Sequence, residues 1–154
     1  MIVFLIFTFL LEIGIFPGFF PNIPTPEFFI PIIVTASLLK SRKHGMIIAL
    51  IFGILLDTFY LRGFGIRTVV FLSIGYFLGT YRDNFSKQSI FVNLIMTLAS
   101  SVYYMIVYFL LINLTVGGVG LNSVIKSIFS LQIPILMVYS LLSHYIFRMK
   151  EKRR

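Results

Sequence analysis

Two carboxylates interrupt long apolar runs in this sequence: Glu12, within MIVFLIFTFLLEIGIF, and Asp57, within IFGILLDTFY. A carboxylate at mid-span in hydrocarbon costs about 2.5–3.5 kcal/mol, so an acid kept there is a functional-site candidate by default. For Asp57 the competing structural roles are an ion pair with Arg62 or Arg67, or a cap for the Gly63–Gly65 turn. The chemistry open to Glu12 is pairing with a basic or polar group among helices, hydration near the interface, or proton carriage.

Other residues acquire meaning from helical spacing. Gly45, Ala49, Gly53 and Asp57 recur every four residues, so they form one ridge of small side chains leading to the acid. Such ridges let helix backbones approach closely, and Gly75 with Gly79 offers a matching notch on the next apolar run. Intramolecular packing is the first expectation for both. Further on, Asn93, Thr97, Ser101, Tyr104 and Tyr108 fall on one helical face. That face serves interhelical hydrogen bonds, a polar pocket or a partner helix. His44 and His144 stand apart, without metal-ligand partners at helical spacing, and are expected at the membrane interface. No Ser–His–Asp order, nucleotide loop or paired-carboxylate motif occurs, so neither catalytic residues, a metal nor a cofactor is expected.

The elements that would position these residues follow from composition. Of 154 residues, 58% are hydrophobic and 12% charged, where a soluble domain carries roughly a quarter charged. So few charges do not cover a water-facing surface. A spanning helix takes about 20 residues, and the chain accommodates one transmembrane domain of six spans: about 1–16, 27–39, 45–61, 66–80, 89–114 and 124–147, with a basic tail over 148–154. The first run has neither a positive leader nor a cleavage motif, and is expected to be retained. Pro17, Pro21, Pro24 and Pro26 predict an irregular connection, Pro31 a short and irregular second span, and Pro134 a kink in the sixth.

The net charge of +8 is placed in short clusters between apolar runs, which argues for topology signals and against nucleic acid. With both termini in the cytoplasm, the inside holds Lys40, Arg42, Lys43, Arg82, Lys87 and the five basic residues of the tail. The outside then holds only Arg62, Arg67 and Lys126. That asymmetry satisfies the positive-inside rule and an even number of spans.

The stretch Gly53-Ile54-Leu55-Leu56-Asp57-Thr58-Phe59-Tyr60-Leu61-Arg62-Gly63-Phe64-Gly65 resembles the signature of the MreD family of rod shape-determining proteins. The resemblance is strongest between Gly45 and Gly79, and by residue covers Gly53, Asp57, Gly63 and Gly65. It implies a non-enzymatic, multi-pass component of the bacterial cytoplasmic (inner) membrane, within the machinery that elongates the cell wall. It further implies an MreC-like partner, with indirect links to RodA, its penicillin-binding partner and MreB filaments. The implied fold is all-α and similar to the substrate-binding subunits of energy-coupling-factor transporters.

Two other functions compete. A vitamin-capturing transporter subunit would use small-residue notches in its first helix, yet the chain's alanines are Ala36, Ala49 and Ala99, none of them in the first span. An ion-coupled carrier would use Glu12 and Asp57.

Overall fold

Apolar side chains facing outward and hydroxyls facing inward mark how this chain is arranged. The computed structural model describes residues 2–20, 25–60, 65–82, 89–115 and 132–151, all helical or in short connections, with no strand among them. Phe91, Val3 and Leu114 are 78%, 79% and 82% exposed, whereas Thr8, Thr35, Ser37, Ser140 and Ser143 are fully buried. Water favours the opposite distribution. Hydrocarbon favours this one, since a polar side chain there must find its partner inside the protein.

The first rod is built from α1 (Ile2–Leu10), a π-helical turn (Leu11–Ile15) and α2 (Phe16–Phe19). Proline inside a helix lacks a donor and clashes with the carbonyl four residues back. Here the wider turn, closed by Phe16 N–H donating to Leu11 O, directly precedes Pro17 and accommodates it without ending the rod. The same turn carries Glu12 into the interior. The second rod joins α3 (Phe29–Thr35) to another π turn (Ala36–Lys40). Pro31 sits in the first turn of α3, where no amide donor is required.

Helix α4 (Arg42–Phe59) starts on a Ser41 cap and α5 (Ile66–Tyr81) follows it. The two pack closely through small residues. A Cβ added to Gly53 would lie 2.7 Å from Thr68 Cα, and one on Gly75 would lie 3.3 Å from the Gly45 carbonyl carbon. Gly45, Ala49, Gly75 and Gly79 are likewise buried. Helix α6 (Ile90–Thr115) is long and apolar enough to cross a membrane, and Val3–Phe19, Phe29–Lys40, Ile66–Tyr81 and Ile133–Met149 are shorter apolar helices. The last described helix, α7 (Gln132–Glu151), takes Pro134 in its first turn.

The second rod is the axis. Every residue from Phe28 to Leu39 is buried, and α3 packs against α4, α5, α6 and α7. The other helices form a ring around it: α4 on α5, α5 on α6, and α6 on α7. The first rod closes the ring, with Phe9 against Phe52 and Phe59 of α4 and Phe4 stacked on Tyr139 of α7. Thr8 also hydrogen-bonds the Tyr139 hydroxyl.

Candidate functional site

The end of the bundle where α4 stops and α5 starts holds the densest charge in the interior. Gly65 adopts φ +91°, a left-handed conformation natural to glycine, and stands at the N-cap of α5 without a side chain to cap it. The first amides of α5 therefore need acceptors from elsewhere. Asp57, in the last turn of α4, supplies them. Its Oδ1 accepts from Arg67 N–H at 3.2 Å, and its Oδ2 accepts from Thr68 N–H at 3.0 Å and the Thr68 hydroxyl at 2.7 Å. A negative charge at a helix N-terminus also meets the positive end of the helix dipole. Gly53, one turn below, leaves the space that lets Thr68 approach α4. One residue of the pair admits the incoming helix and the other caps it.

Capping α5 fixes Arg67, whose guanidinium turns into the bundle. Its Nη2 lies 3.1 Å from Glu27 Oε1 and its Nη1 lies 4.0 Å from Glu12 Oε1. The Tyr60 ring sits 4.0 Å from the guanidinium carbon and the Tyr108 ring 5.9 Å, both within reach of a cation–π contact. Tyr104 donates to Glu27 Oε1 at 2.8 Å, and the Tyr60 hydroxyl donates to the Glu12 carbonyl at 3.3 Å. Two carboxylates thus flank one guanidinium. Glu12 is only 1% exposed, and its carboxylate oxygens have no hydrogen-bond donor among the described residues. The cluster joins the first rod, the connection before α3, and helices α4, α5 and α6 through a single charged centre.

A second polar region crosses the bundle between α3, α6 and α7. Asn93 donates to Ser140 Oγ at 2.9 Å and accepts from the Thr35 hydroxyl at 3.2 Å. Thr97 lies 3.0 Å from Ser140 Oγ, and Thr35 lies 3.0 Å from Ser143 Oγ. Ser101 instead donates to the Leu98 carbonyl of its own helix. The polar face of α6 is therefore divided: Asn93 and Thr97 bind α3 and α7, while Tyr104 and Tyr108 turn towards the charged cluster.

The sequence model of the family described as rod shape-determining protein MreD matches residues 1–149. The chain belongs to the MreD family. It is accordingly a membrane protein of rod-shape determination. No curated protein and no solved structure matches it.

Several expectations change in this MreD-family chain. Arg67, counted from the sequence as an outside loop charge, is buried in the first turn of α5. His144, expected at the interface, is buried on α7, because the helix turns it to the same side as Ser140 and Ser143. His44 does lie at the surface, where its Nδ1 meets the Ser41 hydroxyl at 2.7 Å. Gly63 and Arg62 lie outside the described residues. Among the described residues no group of His, Asp and Glu is arranged to hold a metal ion. The residue missed from sequence is Glu27. It stands among prolines and reads as part of a connection, although it is one of only five acids in the chain. That scarcity, together with its place just before an apolar run, was the available signal.

Proposed function

We propose that this MreD-family protein is a non-enzymatic scaffold of the bacterial cell-wall elongation machinery, seated as six spans in the cytoplasmic membrane with both termini inside. Its partner in this reading is an MreC-like protein, through which it reaches RodA, a penicillin-binding protein and MreB filaments indirectly. The arrangement of the spans is proposed to be like that of energy-coupling-factor substrate-binding subunits.

The observation that carries the reading is how Asp57 is used. Both of its oxygens are occupied by the first turn of α5, and the turn so fixed holds Arg67 between Glu12 and Glu27. Such a centre locks helices in one relative geometry, which a scaffold requires of the surface it presents. The basic residues Lys40, Arg42 and Arg82 lie at the opposite end, which under the positive-inside rule supports an outward-facing Asp57 end. The partner's transmembrane or extracytoplasmic segment is proposed to dock over that outer end, beside Gly65 and Tyr60.

The test is recovery of the MreC-like partner from membranes with Asp57→Leu and with Asp57→Asn. Leucine removes the acceptors and should reduce recovery, while asparagine retains one acceptor and should keep most of it. Undiminished recovery with the leucine variant would refute this role for Asp57. A second reading, an ion-coupled carrier, draws on the buried Glu12 carboxylate. Uptake into vesicles that depends on pH and is abolished by Glu12→Gln would favour it.

A further inference from the structure

The end of the molecule remote from Asp57 carries a cleft that the scaffold reading does not use. It has a volume of about 640 Å³ and is lined by Ser41, Arg42, Lys43, Met46, Gly79 and Arg82. It forms where the N-terminus of α4 meets the C-terminus of α5. Its arginines are held in place. The Arg42 guanidinium stacks on the Tyr76 ring at 3.9 Å, and Arg82 donates to the Lys40 carbonyl at 2.6 Å. Stacking uses the face of a guanidinium and leaves its in-plane N–H edge for an acceptor. Ser41 caps α4, whose amino end adds its own positive potential.

Charge around the cleft is strongly one-sided. Among the described residues no carboxylate lines it. Its described lining holds three cations, Arg42, Lys43 and Arg82. The Arg42 fork and a helix N-terminus together suit a phosphate group.

What distinguishes a lipid phosphate from a free one is the adjoining surface. Lys43 and Met46 line the cleft, and one turn further along α4 Ile47 and Leu50 are 55% and 44% exposed, while Tyr76, on which Arg42 stacks, is 42% exposed. Cationic cleft and apolar flank are therefore contiguous, as the two parts of an amphiphile require. Asp57 lies fifteen residues beyond Arg42, about 22 Å at helical rise, which puts the cleft near one face of the membrane. We propose that this cleft is a binding site for the phosphate headgroup of an anionic phospholipid, whose acyl chains lie along Ile47, Leu50 and Tyr76. The inference requires the protein's membrane location and not its partner.

The test uses the full-length protein in detergent, presented with equal amounts of phosphatidylglycerol and phosphatidylcholine and read by native mass spectrometry. Phosphatidylglycerol should be retained in preference. Each of Arg42→Gln, Lys43→Gln and Arg82→Gln should lower its occupancy about fivefold, the factor that corresponds to roughly 1 kcal/mol per basic residue near an anionic surface. Arg42→Lys, which keeps the charge and loses the stacked fork, should keep only part of the preference, and Arg153→Gln in the tail should leave it unchanged. Lys43 is exposed, so its variant reports even if Arg82→Gln does not fold. Equal retention of the two lipids would overturn the proposal. So would a preference that survives all three glutamine variants. Displacement of the lipid by millimolar inorganic phosphate, without regard to its acyl chains, would overturn it in favour of a free-anion site.

Discussion

Replacing Asp57 by alanine should destabilise the protein far more than loss of a surface acid would. Its carboxylate is 4% exposed and accepts from two backbone amides and one hydroxyl. In Asp57→Ala the amides of Arg67 and Thr68 lose their acceptor inside the bundle, and a buried donor left unpaired costs about 1–3 kcal/mol. Loss of the charge at the helix N-terminus adds about 0.3–1 kcal/mol. The expected total is about 3–5 kcal/mol, since the Thr68 hydroxyl can rotate to another acceptor. At about 2–4 °C per kcal/mol for a chain of this size, the midpoint should fall by roughly 10 °C. Asp57→Asn retains an acceptor for one amide and should lose about half as much. The assay is thermal unfolding of purified protein in a mild detergent, followed by loss of the monodisperse peak in size-exclusion chromatography. An alanine variant with an unchanged midpoint would show that α5 starts without this cap, and the derivation of the site from Gly53 and Asp57 would fall with it.

The same logic sets expectations elsewhere. Gly53→Ala places a methyl 2.7 Å from the Thr68 backbone, and separating α4 from α5 should cost about 1–3 kcal/mol in the same unfolding assay; Gly14→Ala, which meets no atom within 4 Å, is the control and should change little. Arg67→Gln leaves Glu12 and Glu27 buried without their shared cation, a loss of about 3–5 kcal/mol. Adding Glu27→Gln to it should restore part of that stability, and a double variant as unstable as the sum of the singles would exclude coupling between the two.

The sequence revealed Asp57 because an acid among leucines and isoleucines is conspicuous, yet it could not reveal the partner. Ion pairing with Arg62 or Arg67 and capping of a turn were all compatible with the spacing. The observed role, acceptance from the Arg67 backbone while the Arg67 side chain turns to Glu27, depends on a helix returning beside α4 at close range. The polar face of α6 was legible, because period alone places Asn93, Thr97, Ser101 and Tyr104 on one side, and all four are buried. Its division between a hydroxyl network and a charged cluster was not, since that depends on which helices α3 and α7 bring to it. Nor was the axial position of the second rod. Its proline and its short length suggested irregularity, whereas its uniform burial arises from five surrounding helices whose order no local pattern records. Of the two π turns, the one ending at Ile15, two residues before Pro17, had a local mark in that proline. Glu27 escaped because prolines on either side of a residue hide it in a connection.

The most direct test of the account concerns which face of α6 meets lipid. The chain has no native cysteine, so single cysteines along α6 can be spin-labelled in the reconstituted protein and their collisions with oxygen and with a water-soluble relaxant compared. Labels at Phe91, Ile95, Val102, Ile106 and Leu110, the exposed side, should show high oxygen and low relaxant accessibility. Labels at Asn93, Thr97, Ser101 and Tyr104 should show little of either. Water access along the apolar side, or lipid access along the polar one, would contradict a bundle that turns its polar groups inward to hold its helices together.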